Sequence, residues 1–327
     1  MALPNTFEFW KDNAHKSGEE LARENRTDGG SARRAKRRAM IRWPSLPWAV
    51  NQEHTQVVYS SPVEPHRRTD VLPSSRKHVD VERNIVINDL HIPFHDPRAV
   101  SIALAVVADL QPAYVTYDGD ICDFYAVSKF NKDPKRATCF QEELDESRAI
   151  LTDFVKAAPN AKHVFVRGNH EARLENFLRA DAPALSGLRD MTVQRQLGLD
   201  ELGIEYVAGK GREAYTTYGP IRIGHFNKVA KNSAYTAKLL LDKNAESLVQ
   251  GHTHRLGTSY RTYPGGRMIV GVEGGCLCDL DPEYVSDPDW QQGFTIITKL
   301  IESDRFHVQQ VPIVGYEAFV NDTRYSA

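Results

Sequence analysis

"NIVINDLHIPFHDPRAV", residues 84–100, decides how this chain is read. Ile85-Val86-Ile87 is a continuous β-branched run, the pattern of a strand buried on both faces. It discharges into two pairs of metal-capable groups, Asp89 with His91 and His95 with Asp96. Asp96-Pro97 then opens a helix expected to reach Leu110, with Asp96 as N-cap and Pro97 in the first helical position. Asp89 and His91 are the expected metal pair. His95 is left as a substrate or outer contact.

The same grammar repeats downstream. "AYVTY" (113–117) and "HVFV" (163–166) read as strands. Between them, Phe140, Leu144, Ile150, Phe154 and Val155 mark one face of a helix ending near Pro159. This order predicts parallel βαβ units. "IRIGH" (221–225), a helix over Thr236–Lys243 and "SLVQGH" (247–252) extend it. After residue 255, "TSYRTY", "RMIVGVEGG", "FTIITKL" and "RFHVQQVPI" read as largely antiparallel strands.

Ligands of open α/β sheets bind beyond the carboxyl ends of the strands. Here the strand ends supply Asp89 and His91, Asp120 and Asp123 in "GDICD", Asn169 and His170 in "GNHE", His225, and His252 and His254 in "GHTH". Five polar endings in series are costly in a packed edge unless they are paired. Residues i and i+2 of an extended chain share a side, so Asp89/His91 and His252/His254 are each expected to present two ligands. Gly119, Gly168, Gly224 and Gly251 precede the proposed ligands and allow sharp turns. Carboxylate, amide and imidazole donors without thiolate suit a catalytic Mn²⁺, Fe or Zn²⁺ centre.

Residues 1–80 differ in character. They hold 14 Lys/Arg against 10 Asp/Glu, whereas the remaining chain holds 27 against 33. Ser17 with Glu20 reads as a capping box opening a short helix. "NRTDGG" breaks it, and Ser31 is expected to cap "ARRAKRRAMIRW". Two short helices about a glycine turn read as a helix-turn-helix, with Arg33, Arg34, Lys36, Arg37 and Arg38 as nucleic-acid contacts. A solvated basic tail is the alternative. The expected division is a basic helical segment over 1–45, a proline-containing linker over 46–82 and a catalytic body over 83–327.

Cys122, Cys139, Cys276 and Cys278 form no C-x-x-C pair, and reduced thiols fit a cytosolic protein. No apolar run reaches membrane-spanning length and no signal-peptide core stands at the start. The expectation is therefore a cytoplasmic protein without a membrane partner.

The series "DLH … GDICD … GNHE … GH … GHTH" resembles the calcineurin-like metallophosphoesterases in order and approximate spacing. "IPFHDP", "SKFNKDP", "GHTHRLG" and "GCLCDLDPEY" through "WQQGF" are most similar to phage-encoded members with an N-terminal DNA-binding-like segment. The resemblance implies an α/β fold of two mixed β-sheets packed as a sandwich between helices. It also implies that Asp89, His91 and His254 hold one metal, that Asn169, His225 and His252 hold another, and that Asp120 bridges them. His170 would then be the general acid or transition-state donor, oriented by Asp123. Mn²⁺ is the expected metal, with Fe, Ni²⁺ or Zn²⁺ as alternatives. Two cations about 3.5–4 Å apart can share a hydroxide that attacks phosphorus. The host cytoplasm follows if the chain is phage-encoded.

Other polar residues have plainer readings. His163 and His307 are expected to be structural or exposed, and Cys122 to point away from the metals. Glu171 is expected to cap the helix after "GNH". Arg173 and Arg255 are candidates to fork onto phosphate, with surface salt bridges as the alternative. Phe124 stands where protein Ser/Thr phosphatases of the superfamily carry arginine, which disfavours a phosphoprotein substrate. Glu171 replaces the aspartate of nuclease relatives. The leading expectation is a dinuclear phosphoesterase acting on nucleic acid or nucleotides. The alternatives are a small-molecule or nucleotide phosphatase with a recruiting N-terminus, and a DNA-binding protein with a scaffold body.

Overall fold

The computed structural model describes residues 3–47, 78–132, 139–209, 213–282 and 287–327. The chain divides into two compact units, Met1–Lys77 and His78–Ala327. Nearly all of the expected linker lies outside the described residues.

The first unit holds three helices, α1 (Phe7–Asn13), α2 (Gly18–Glu24) and α3 (Gly29–Arg42). Ser17 and Glu20 form the expected capping box of α2. The cap of α3 is Asp28 rather than Ser31: its carboxylate accepts from Ser31 N at 2.8 Å, so both glycines lie inside the first turn. Trp10, Leu21, Ala32 and Ala39 form a small core. Arg33, Arg34, Arg37 and Arg38 are exposed on α3. Lys36 departs from that face, because it is buried and its Nζ donates to Lys16 O at 2.5 Å.

The second unit begins with β1 (Val81–Ile87) and the expected helix α4 (Pro97–Leu110). Asp96 caps α4 by accepting from Arg98 N at 2.9 Å. Next come β2 (Tyr114–Asp118), α5 (Phe140–Ala157) and β3 (Lys162–Val166). They are followed by α6 (Glu171–Asp181), α7 (Val193–Gln196) and β4 (Ile204–Val207). The chain continues through β5 (Thr216–Tyr218), β6 (Ile221–Ile223), α8 (Tyr235–Asn244) and β7 (Ser247–Gln250). It then forms β8 (Leu256–Thr262), β9 (Met268–Gly274), β10 (Gly293–Leu300) and β11 (Phe306–Pro312). A closing hairpin pairs β12 (Glu317–Val320) with β13 (Thr323–Ser326).

Two mixed sheets result, as expected. One has the order β11-β10-β1-β2-β3-β4 and the other β5-β6-β7-β9-β8. β1 through β4 are mutually parallel, and β10 runs antiparallel to β1. In the second sheet β6, β7 and β9 are parallel, with β5 and β8 antiparallel at its edges.

β1 explains the layering. Ile85 and Ile87 join the cluster containing Val100, Val106 and Phe154 of the helices. Val86, between them, joins Ile223, Val249 and Val272 of the second sheet. A strand sandwiched this way must be apolar on both faces, and each such buried side chain contributes about 1.5–3 kcal/mol. The outer face of the second sheet is covered by α8, whose Leu240 packs with Leu248. Among the described residues no helix is long and apolar enough to cross a membrane.

Candidate metal centre

The donor residues follow five strands. Asp89 and His91 leave β1, Asp120 leaves β2 and Asn169 leaves β3. His225 follows β6, and His252 and His254 follow β7. The first three strands belong to one sheet and the last two to the other, so the donors meet where both sheets end.

Their convergence has a different cause from the one expected. Strand pleating does not align Asp89 with His91 or His252 with His254. The strands stop first, and all four residues, with Asp120, lie in the left-handed backbone region at φ 52°, 53°, 73°, 56° and 51°. Non-glycine residues rarely occupy that region, and each costs on the order of 1 kcal/mol or more. The loops offset this by mutual pairing: Asp89 N donates to Gly119 O at 3.1 Å and His91 N to Asp120 O at 3.0 Å. At Gly251 a Cβ would stand 2.6 Å from Asp89 Oδ2, so a side chain there collides with a donor.

Two donor sets share one oxygen. In the first, His91 Nε2 lies 3.0 Å from His254 Nε2, and Asp89 Oδ1 lies 3.2 Å from His254 Nε2. In the second, His225 Nε2 lies 3.2 Å from Asn169 Oδ1 and 3.2 Å from His252 Nδ1. Asp120 Oδ2 is 3.0 Å from His225 Nε2 and 4.0 Å from His91 Nε2, and so adjoins both sets. All of these residues are buried except Asn169 and His252, which are partly so.

The electrostatics favour a cation. Burial would raise the Asp89 carboxyl, yet His254 and His225 hold it well below the usual range. Asp120 is likewise held down against burial by His170 and His225. Burial opposes charge on His91, but Asp123 and Asp89 push its pKa up to about 10. His225 is raised against burial by Asp120 and Asp89, while burial and the neighbouring His225 lower His252 to about 4. Ring nitrogens about 3 Å apart beside ionised carboxylates fit divalent ions, which would displace the imidazolium protons. The tautomer of His225 suits this, because its Nδ1 donates to Asp118 O at 2.8 Å and leaves Nε2 as a donor atom.

His170, half-buried, and Asp123, buried, stand beside the donor sets. His170 Nδ1 is 3.1 Å from Asp123 O and 3.4 Å from Asp123 Oδ2. Arg173 donates to Asp123 Oδ1 at 2.9 Å and approaches His170 Nε2 at 2.9 Å. Arg173 is thus brought to the site. Arg255 is engaged elsewhere, donating to Ala230 O at 2.8 Å and pairing with Asp289. His95 also stands outside the donor sets, with Nε2 4.0 Å from Glu146.

Glu171 opens α6 but does not cap it as expected, the helix having no side-chain cap. Its carboxylate accepts from Gly168 N, Asp120 N, Ile121 N and Cys122 N at 2.8–3.2 Å, tying the second loop to the third. Burial and the nearby Asp120 push its pKa up to about 7 despite these donors. Cys122 points away, to Ser147 Oγ at 3.3 Å. His163 is structural, with Tyr117 Oη and Ala158 O both at 3.0 Å, and His307 is exposed.

Sequence reasoning missed three supports. Asn88 Nδ2 donates to Asp89 Oδ2 at 2.8 Å and to Gly275 O at 2.6 Å. Asp118 Oδ2 accepts from Gly251 N at 3.0 Å. Glu143 accepts from Phe124 N. Asn88 left a signal, an amide directly after a buried apolar run. The partners of Asp118 and Glu143 are too distant in sequence to leave one.

The donor sets bring together the residues of the motifs that resemble the calcineurin-like metallophosphoesterases. No family model matches the chain. It is 27% identical over 246 residues to the Gene 54 protein of Mycobacterium phage L5, covering 72% of this chain and 94% of that protein. The Gene 54 protein of Mycobacterium phage D29 is 26% identical with the same coverage. Among solved structures, Vps29 from Cryptosporidium parvum is similar at 15% identity and TM-score 0.37, over 76% of this chain and 96% of that one. The purple acid phosphatase PPD1 of yellow lupin seeds is similar at 13% and 0.38, over 72% and 52%. The phosphoesterase YfcE of E. coli is similar at 14% and 0.32, over 71% and 100%. These are distant likenesses, and what the site can do follows from its own geometry.

Proposed function

We propose that the chain is a dinuclear metal-dependent phosphoesterase. The observation that carries this reading is the meeting of two donor sets on Asp120 Oδ2. Asp89, His91 and His254 would hold one cation and Asn169, His225 and His252 the other, with Asp120 available to both. When bound, two divalent cations, Mn²⁺ in the first instance, neutralise phosphate oxygens and make a water acidic enough to attack phosphorus.

The protein's own groups supply the rest. Asp123 holds His170 through Nδ1, and Nε2 lies 3.8 Å from Asp120 Oδ2, beside the donor sets. Doubly protonated, the ring could pass its Nε2 proton to the leaving oxygen and keep the one on Nδ1. For that, the Arg173 guanidinium must turn from Nε2, which frees it to fork onto the phosphate.

The substrate class is nucleic acid or nucleotide. Its support is the exposed row Arg33, Arg34, Arg37 and Arg38 on α3, a cationic face suited to phosphates. The phage source of two relatives supports a place in the host cytoplasm.

The test begins with metal-stripped protein. Adding Mn²⁺ should bring two ions per chain and hydrolysis of bis-p-nitrophenyl phosphate or p-nitrophenyl phosphate. Asp120→Asn should abolish turnover and lower the stoichiometry. His170→Ala should keep both ions and reduce kcat by about 10²–10⁴-fold. No turnover of either ester with Mn²⁺, Fe, Ni²⁺ or Zn²⁺ would sink the reading. A panel of single-stranded DNA, double-stranded DNA and cyclic nucleotides then resolves the substrate.

A further inference from the structure

A second convergence of donors lies behind His254. Cys276 and Cys278 follow β9, and one ring nitrogen of His254 and the two Sγ atoms all lie within 4.8 Å of one another. Cys278 Sγ is 3.9 Å from His254 Nδ1. All three residues are buried, and Trp290 lies edge-on against the imidazole at 4.2 Å between ring centroids.

The arrangement is unusual for a metal-facing histidine. The far nitrogen of such a ring ordinarily meets a carboxylate, carbonyl or water. Here it meets a thiol. Two thiols and an imidazole form a soft donor set, unlike the thiolate-free nitrogen and oxygen centre on the other side of the ring. Charge selects the ion. Two thiolates with a divalent cation make a neutral unit, whereas a monovalent cation would leave a net negative charge buried close to Asp89.

We propose that His254, Cys276 and Cys278 form a binding site for a thiophilic divalent cation of the Zn²⁺ class, and that its occupation withdraws His254 from the neighbouring centre. Each thiol gives its proton to solvent as its sulfur–metal bond forms. A neutral imidazole has one lone-pair nitrogen. Ligation through Nδ1 therefore places the ring proton on Nε2, the atom that faces Asp89 and His91. The two sites thus compete for a single ring. The binding half of the proposal stands without the phosphoesterase reading, and the competition half rests on it.

Cd²⁺ is the probe, added to reduced, Mn²⁺-loaded full-length protein. Thiolate-to-metal absorption should rise in the ultraviolet and saturate at a single thiolate-bound Cd²⁺ per chain, with two protons released. Hydrolysis should fall in parallel, by about tenfold or more. Cys276→Ser/Cys278→Ser should lose the absorption and need at least about tenfold more Cd²⁺ to halve its own Mn²⁺-dependent hydrolysis, whatever that starting rate is. Cys122→Ser/Cys139→Ser should behave like wild type, which keeps the test decisive if the first variant fails to fold. The proposal is overturned if wild type gives no thiolate absorption, or if the absorption disappears with Cys122 and Cys139. Absorption that saturates without loss of hydrolysis overturns the competition. If the chain hydrolyses no phosphoester, the thiolate absorption still reports the site.

Discussion

Asn88 has the clearest single-residue consequence. It holds Asp89 through one amide hydrogen and is itself fixed by Gly275 O. Such outer supports commonly contribute 10–100-fold to metal affinity. Asn88→Ala should therefore weaken Mn²⁺ binding by about 10–100-fold, read by calorimetric titration, and lower the stability of the metal-free protein by about 1–3 kcal/mol, because Gly275 O loses its buried donor. Legibility at this scale followed chemistry. The meeting of Asp89, Asp120, His225 and His254 was readable, because acids and imidazoles recur at the ends of successive strands. Asp118 and Glu143 were not, because each meets its partner only after the sheets assemble. Lys36 shows the reverse error: a run of basic residues hides the one that the helix turns inward.

Elements were legible where pattern and cap agreed. Asp96-Pro97 gave α4 its start, and the β-branched runs gave β1, β2 and β3. The short β4 and β5 have too few residues to show an alternation, although Gly203 and Gly219-Pro220 mark turns beside them. The closing hairpin was also hidden: Val320 faces the helical core while Phe319 is exposed, over only four residues. The larger lesson concerns the loops after β1 and β7. Their donors converge through left-handed turns, which a period-two reading cannot foresee. Gly251 tests this. Gly251→Ala drives a methyl against Asp89 Oδ2, so it should destabilise the fold by about 1–3 kcal/mol in urea unfolding. It should also impair metal binding, whereas Gly187→Ala, with open space around it, should do neither.

At the scale of the whole molecule, the two units have separable expected roles. Replacing Arg33, Arg34, Arg37 and Arg38 together by alanine should leave hydrolysis of p-nitrophenyl esters unchanged. It should flatten the dependence of DNA binding on log salt, by about 0.9 for each duplex phosphate that the arginines no longer neutralise. Retained salt dependence would assign DNA binding to another surface. The body carries one further consequence, from donors drawn from the ends of both sheets. A cation held by Asp120 of one sheet and His225 of the other would act as a clasp on their seam. Opening that seam in solution would then require letting go of the ion. Amide hydrogen exchange at Ile223 and Val249 should slow as Mn²⁺ is added, while amides of the distant β12–β13 hairpin keep their rates. The metal would then serve as a reagent and also as a fastener, and the ion concentration around the protein would set how often its two halves part.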